Sequence, residues 1–198
     1  MSAEQLVTAC RELVSAGLSP GSSGNASIRA GNTVFITPGG LSLARITAAD
    51  ISIMTIDGEH RAGPRPTKEW AMHTAAYASR PDDTAIVHVH APASTAVACL
   101  RHRPGDDPLP AYTPYRIRMI GRVEIVPYAP PGSQKLALAV GVATKNSACL
   151  LLANHGSLVC ASSMTAAVDL AQEMEAAAAL TLALHGRDAA VLDSDTAW

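Results

Sequence analysis

The sequence is short of several things that would decide its class at once. Only 4% of its 198 residues are aromatic, with a single Phe. No uncharged apolar run reaches the roughly 18 to 20 residues that span a bilayer, so no membrane partner is expected. The opening residues Met1-Ser2-Ala3-Glu4-Gln5 lack the basic region and apolar run of a signal peptide. Neither charge sign dominates: 15 basic side chains stand against 17 acidic ones, a net charge of -2. That balance leaves no electrostatic footprint for nucleic acid or an anionic surface. The four cysteines, Cys10, Cys99, Cys149 and Cys160, form no CxxC pair. They read as small buried hydrophobes rather than a disulfide framework or a zinc–thiolate site, and a cytoplasmic location is expected. With 48% hydrophobic residues the chain is not disordered, and its length predicts one domain over 1–198.

What is present is alanine, much of it at helical spacing, where its propensity is best. Leu6, Cys10, Leu13 and Val14 mark one face of a first helix that closes near Gly17 and Pro20. A Gly/Ser-rich turn over 21–25 follows, then a strand at 34–36 that runs into the turn Thr37-Pro38-Gly39-Gly40. Residues 50–57 alternate apolar and polar, and Asp57-Gly58 reads as a hairpin turn. The pattern over 69–78 is helical and stops before Pro81. A strand at 85–90, a helix at 93–100 and a long Pro-rich loop through Pro114 come next. A strand at 123–126 precedes Ser133, which has the chemistry of an N-cap for a helix running to about Lys145. Strands at 148–152 and 157–160 and a helix at 165–184 complete the chain. Strands interleaved with helices and hairpins predict one layered α/β domain with a mixed sheet.

His88-Val89-His90 is the sharpest local feature. Residues two apart on a strand share a face, so both imidazoles point one way while Val87 and Val89 point the other. This is the geometry of two ligands to a divalent metal, and equally of two packed, hydrogen-bonded histidines at a strand end. Asn154-His155-Gly156 breaks a buried strand at its end, where sites sit in α/β sheets, or simply makes a turn. His60, His73, His102 and His185 lack such a setting and read as surface or capping histidines. Glu69 opens a helix after Pro66-Thr67-Lys68. It is either an N-terminal acid favoured by the helix dipole or a general acid/base beside a metal. The exposed helix start, with Thr67 and Lys68, could hold an anion, and the bare backbones at Gly24-Asn25 and Gly39-Gly40 could approach a phosphate.

Together, Gly24-Asn25-Ala26-Ser27, Thr37-Pro38-Gly39-Gly40, Pro66-Thr67-Lys68-Glu69, His88-Val89-His90 and Asn154-His155-Gly156 occur in the order seen in the class II aldolase/adducin family, which the chain resembles over about residues 3–185. The resemblance implies a three-layer α/β/α domain with a mixed, largely antiparallel sheet, and a C4 homotetramer with active sites at subunit interfaces. It implies His88, His90 and His155 as zinc ligands and Glu69 as the acid/base. Gly24, Asn25, Gly39, Gly40, Thr67 and Lys68 fall on its phosphate-binding positions. The adducin branch, which is not enzymatic, lacks the metal histidines. Aldolases of the family usually carry a Ser-Ser pair where this chain has Thr67-Lys68. The proton-donating tyrosine of fuculose-phosphate aldolase falls on Thr113, which leaves nearby Tyr115 as the substitute. Thr67-Lys68-Glu69, Asp107-Pro108-Leu109-Pro110, Arg118-Met119-Ile120-Gly121-Arg122 and Tyr128-Ala129-Pro130-Pro131-Gly132 look like the 3-oxo-tetronate 4-phosphate decarboxylase branch.

The reaction this resemblance implies is decarboxylation of a small phosphorylated acid to dihydroxyacetone phosphate and CO2. The alternatives are aldol cleavage of a fuculose 1-phosphate-like sugar phosphate, 4-epimerisation, or, without catalysis, a metal-stabilised scaffold. Decarboxylation and aldol cleavage leave the same enediolate. Zinc on three neutral imidazoles keeps its +2 charge and open positions to stabilise it, as would manganese, cobalt or nickel.

Overall fold

The first helix, α1 (Ala3–Ser15), shows how local chemistry sets the element bounds. Ser2 and Gln5 form a reciprocal capping box at its start, and Leu6, Val7, Ala9, Cys10 and Leu13 make its buried face. It ends on a left-handed Gly17, with Leu18 N–H bonded to the Leu13 carbonyl and Gly17 N–H to that of Val14. This is the Schellman pattern that glycine permits. The computed structural model describes residues 2–103 and 106–193.

Eight strands follow: β1 (Asn25–Ala30), β2 (Thr33–Ile36), β3 (Ser52–Thr55), β4 (His60–Ala62), β5 (Ala85–Val89), β6 (Val123–Val126), β7 (Cys149–Leu152) and β8 (Gly156–Ala161). They form one sheet in the order β4-β3-β2-β1-β5-β8-β7-β6. Every pair is antiparallel except β6 and β7, which are joined through α4 (Gln134–Ala143). The remaining helices are α2 (Trp70–Ser79), α3 (Pro92–Ala98) and α5 (Met164–Leu184). As expected, Ser133 caps α4, its hydroxyl accepting from Leu136 N–H.

Helices cover both faces of the sheet, giving the three-layer α/β/α architecture. On one face Ala26, Ile28, Val87, Val89, Leu151 and Val159 pack with α1, α3 and α5. On the other Ile36, Ile86, Leu150 and Leu158 pack with Met72, Ala76 and Tyr77 of α2 and Leu136 and Val140 of α4. Alanine makes the second layer thin. Gly141 of α4 lies against Ala75 of α2, and the Ser79 hydroxyl reaches the Gly141 carbonyl at 2.6 Å. No helix among the described residues is long and apolar enough to cross a membrane.

Three features depart from expectation. Strand β1 occupies residues expected to form only a turn and its sequel. Its first four residues are buried, but Asn25 and Ser27 meet α2 through hydrogen bonds, so the hydrophobic alternation that marks a strand is missing. After the Pro-rich loop a short, wide π-turn spans Arg116–Ile120. Buried Arg116 anchors it, its guanidinium holding both Asp107 carboxylate oxygens at 2.6 Å. Finally, Cys10, Cys149 and Cys160 are buried, whereas Cys99, at the end of α3, is exposed.

Candidate metal centre and cleft

Strand β5 lies at the middle of the sheet, and its pleat sends Val87 and Val89 into the α1/α3/α5 layer and His88 to the opposite face. His90 follows where the strand stops. There, Glu175 of α5 accepts Ala93 N–H and Ser94 N–H at 2.7 and 2.8 Å, turning the chain into α3. His155 arrives from the tight turn between β7 and β8. Asn154 adopts φ 55°, and a Cβ on Gly156 would lie 2.5 Å from the Val89 carbonyl oxygen and 2.9 Å from the His90 ring. Only glycine lets the turn press that close to β5.

The three imidazoles so gathered have ring centroids 4.8 to 5.0 Å apart, with one ligand atom from each lying within 4.8 Å of the others. His88 Nδ1 is 2.8 Å from the Ser157 carbonyl oxygen, which can only accept, so Nδ1 carries the proton. Its Nε2 faces the cluster, 3.0 Å from His90 Nε2. Among the described residues, buried His155 Nδ1 and Oε1 of Glu69 have no hydrogen-bond partner. Burial, with repulsion from His88 adding to it, brings His90 and His155 down to about 4, so both are neutral at pH 7. Neutral, convergent imidazoles with orphaned polar atoms are the donor set that fits a divalent transition metal.

Glu69 stands at the start of α2 but does not cap it with its carboxylate. Nor is that helix start exposed as expected, because Thr67 and Glu69 are both buried and only Lys68 stands open. The Glu69 carboxylate turns inward. Oε2 accepts from Asn25 Nδ2 at 2.9 Å and lies 3.5 Å from His88 Nε2, while Oε1 lies 3.3 Å from His155 Nε2. Burial alone would raise this carboxyl. The His88 hydrogen bond, the His88 and His155 charges and the Asn25 amide outweigh it and hold the group down at about 2.

The turns expected to meet a phosphate lie side by side. Thr37 N–H bonds to the Ala26 carbonyl, Thr67 N–H to that of Thr37, and Pro38 bridges Pro66. Between them opens a cleft of ≈ 590 Å³. Gly24, Asn25, Gly39, Gly40, Thr67 and Lys68 line it together with Glu69, His90 and His155, and fully buried His88 lies behind them. The Thr67 hydroxyl accepts Glu69 N–H at 3.3 Å, which leaves its own proton to donate. Arg65, Ser22, Ser23 and Pro131 also line the cleft and were not anticipated. Tyr115 does not line it. That side chain is 58% exposed and borders a separate cavity of ≈ 290 Å³ with Thr113, Arg116 and Glu173.

His73, expected at the surface, is instead fully buried. Its Nδ1 is 2.8 Å from the Ser27 hydroxyl and its Nε2 2.6 Å from Asn25 Oδ1. The missed signal was spacing. Glu69, His73 and Tyr77 recur every four residues on α2, and Asn25 and Ser27 alternate on β1, so two polar stripes face each other.

Residues 4–182 match the family described as Class II Aldolase and Adducin N-terminal domain. The chain is 34% identical over 185 residues to the 3-oxo-tetronate 4-phosphate decarboxylase of Haemophilus influenzae, covering 93% of this chain and 88% of that protein. It is 37% identical over 182 residues to the L-fuculose phosphate aldolase of Escherichia coli, covering 91% and 82%. The crystal structure of YgbL from Klebsiella pneumoniae superposes with a TM-score of 0.93 at 34% identity, covering 100% of this chain and 98% of that one.

Proposed function

The chain belongs to the class II aldolase and adducin family, and from that premise we propose that it is a metal-dependent carbon–carbon lyase that decarboxylates 3-oxo-tetronate 4-phosphate to dihydroxyacetone phosphate. The observation that carries the reading is the convergence of three imidazoles and one ionised carboxylate on a cleft whose open mouth holds a cation, Lys68. Aldol cleavage of a sugar phosphate uses the same centre. Identities of 34% and 37% to the two activities do not separate them. What favours decarboxylation is Thr67-Lys68-Glu69, which resembles the decarboxylase branch; the aldolases usually carry a serine in place of Lys68.

In this reading His88, His90 and His155 hold the metal, zinc or another divalent ion that imidazole accepts. The bound ion supplies Lewis-acid stabilisation of the negative charge that develops on substrate oxygen as the carbon–carbon bond breaks. The protein supplies the rest. Lys68, the Thr67 hydroxyl and the bare backbones of Gly24, Gly39 and Gly40 bind the phosphate. Asn25 has one amide hydrogen left for it, since the other is given to Glu69. When CO2 leaves, the carbon that bore it keeps the electron pair and must take a proton. Glu69 delivers it from Oε1, the oxygen without a hydrogen-bond partner. Because Glu69 is ionised at rest, it must first gain that proton, and the arriving phosphate and carboxylate raise its proton affinity by like-charge repulsion. Lys68 serves mainly the phosphate, since a tight grip on the departing carboxylate would stabilise the ground state and oppose its loss.

We further read residues 1–198 as one domain of this family, cytoplasmic, and assembled as a C4 homotetramer. Tyr115 becomes a proton donor in that assembly only where it meets the cleft of a neighbouring copy.

The test is release of dihydroxyacetone phosphate from 3-oxo-tetronate 4-phosphate by metal-replete and chelator-treated enzyme side by side. Metal-dependent release with CO2 establishes the decarboxylase. Aldehyde release from fuculose 1-phosphate, with no CO2 from the acid, keeps the centre and moves the enzyme to the aldolases. A protein that holds metal and turns over neither substrate is a scaffold.

A further inference from the structure

Behind Glu69 runs a line of buried side chains: Asn25, whose other amide hydrogen is left for the phosphate, and then His73, Ser27 and Tyr77, which the reaction itself does not use. Asn25 and Ser27 are 3% and 0% exposed, His73 0% and Tyr77 1%. Each link is within hydrogen-bond distance: Tyr77 Oη to Ser27 Oγ at 2.9 Å, Ser27 Oγ to His73 Nδ1 at 2.8 Å, His73 Nε2 to Asn25 Oδ1 at 2.6 Å, and Asn25 Nδ2 to Glu69 Oε2 at 2.9 Å.

The donor and acceptor inventory gives this line one direction. Glu69 Oε2, as carboxylate, only accepts, so Asn25 turns its NH2 towards it and is left with Oδ1 at the far end. Oδ1 also only accepts, so the proton on His73 sits on Nε2. His73 is held neutral by burial, at about 3, so its Nδ1 is a lone pair and takes the Ser27 hydroxyl proton. Ser27 Oγ is then left to accept from Tyr77, whose hydroxyl also reaches the Ser27 and Thr84 carbonyl oxygens at 3.1 and 3.4 Å. Reversing any link from Glu69 to Ser27 would set two acceptors or two donors face to face in the dry interior, where an unmade bond is costly.

We infer that His73 is a positioning residue for Glu69. By locking the Asn25 amide it keeps Glu69 Oε2 tied back and leaves Oε1 as the oxygen that carries the proton. This inference rests on the acid/base reading of Glu69. It separates that residue's two oxygens, one for orientation and one for chemistry, and it explains why a histidine sits where the layer otherwise takes Met72, Ala76 and Ile86.

Two variants and one spectrum test it. His73→Phe keeps the shape and removes both hydrogen bonds. It should keep wild-type metal content and KM within about twofold, while kcat falls about 10- to 100-fold, the usual cost of losing an orienting partner. His73→Gln restores an N–H towards Asn25 and should recover most of that loss. A fall in metal content or a rise in KM matching the fall in kcat, unchanged kcat in the Phe variant, or a Gln variant no better than Phe would each overturn the assignment. Should the Phe variant not fold, 15N spectra of the wild-type imidazoles decide. A neutral His73 protonated on Nε2 is required, and protonation on Nδ1 sinks the idea. Glu69→Gln measured alongside keeps the two readings apart. Near-normal turnover there removes Glu69 from the chemistry, while the His73 tautomer still reports whether the line runs as described.

Discussion

On strand β5 Val87 and Val89 enter an apolar layer with α1, α3 and α5, whereas on the opposite face Asn25 and Ser27 of β1, beside His88, meet α2 through hydrogen bonds. The same strands thus present two surfaces one residue out of phase. The first is ruled by volume, where any well-fitting hydrophobe serves. The second adds, around Asn25, Ser27 and His73, donor and acceptor matching to the apolar packing of Ile86, Met72 and Ala76. Stability should therefore respond mainly to changes on the first face and chemistry to changes on the second.

The largest expected break in that division is His155→Ala. It removes a ligand without opening the apolar layer, so bound metal and turnover should both vanish while the folded spectrum persists. Metal analysis of the purified variant checks this, and a variant that retains stoichiometric metal would remove His155 from the ligand set. Next comes Glu69→Gln, which should keep the metal and lower kcat by about 10² to 10⁴-fold, the range of a lost general acid/base. Single-turnover measurement of dihydroxyacetone phosphate formation reads it directly. Leu151→Ala does the reverse. Its side chain is fully buried on the apolar face, so unfolding free energy should fall by about 2–5 kcal/mol with kcat unchanged. A loss of kcat in a still-folded Leu151→Ala enzyme would show that the two faces are coupled.

Two smaller effects sharpen the comparison. His73, His90 and His155 have their protonation suppressed in the fold, to about 3, 4 and 4, against about 6.5 in an unfolded chain. Below pH 6.5 the unfolded state binds protons that the folded state refuses. The metal-free protein should thus have its full stability above about pH 6.5 and lose it progressively towards pH 4 and below. Denaturant midpoints measured across pH 4 to 7 should fall with acidity, and a flat profile would contradict neutral buried imidazoles. Last, Lys68→Ser should raise KM for the phosphorylated acid by about 10- to 100-fold, the cost of a lost charged hydrogen bond. If KM stays put and only kcat drops, Lys68 serves the carboxylate or the transition state instead of the phosphate.

The two faces also differ in how far they could be read before any coordinates. The apolar one was legible in its periodicities. Leu6, Cys10 and Leu13 of α1 fall where spacing placed them, because burial repeats with the pitch of the element. The histidine cluster was legible too, since His88-Val89-His90 and Asn154-His155-Gly156 are short motifs at strand ends. The hydrogen-bonded stripe was not. Asn25 and Ser27 are polar, so β1 did not show as a strand, and His73 looked like a surface residue until its partners were in view. Hydrophobic pattern has no way to register a buried group that is paid for by a partner on another element. Tyr115 shows the other limit. Proximity in sequence to Thr113 set it near the proton-donor position, yet it borders a different cavity from the one that holds Glu69.

The placement of β5 has a consequence for the order in which the molecule is built. Its two neighbours in the sheet are β1, far upstream, and β8, which pairs Ser157 with Val89 from far downstream. Non-local pairings of this kind are slow, because loop-closure entropy is spent before any contact is gained. His88 and His155 cannot approach until β5 and β8 have zipped and the turn at Gly156 has settled against Val89. The histidine cage thus exists only once these long-range pairings have formed, and a metal ion arriving earlier would find only scattered histidines. On the proposed reading, loading then belongs to the finished protein, and metal occupancy would serve as a readout that refolding has run to completion.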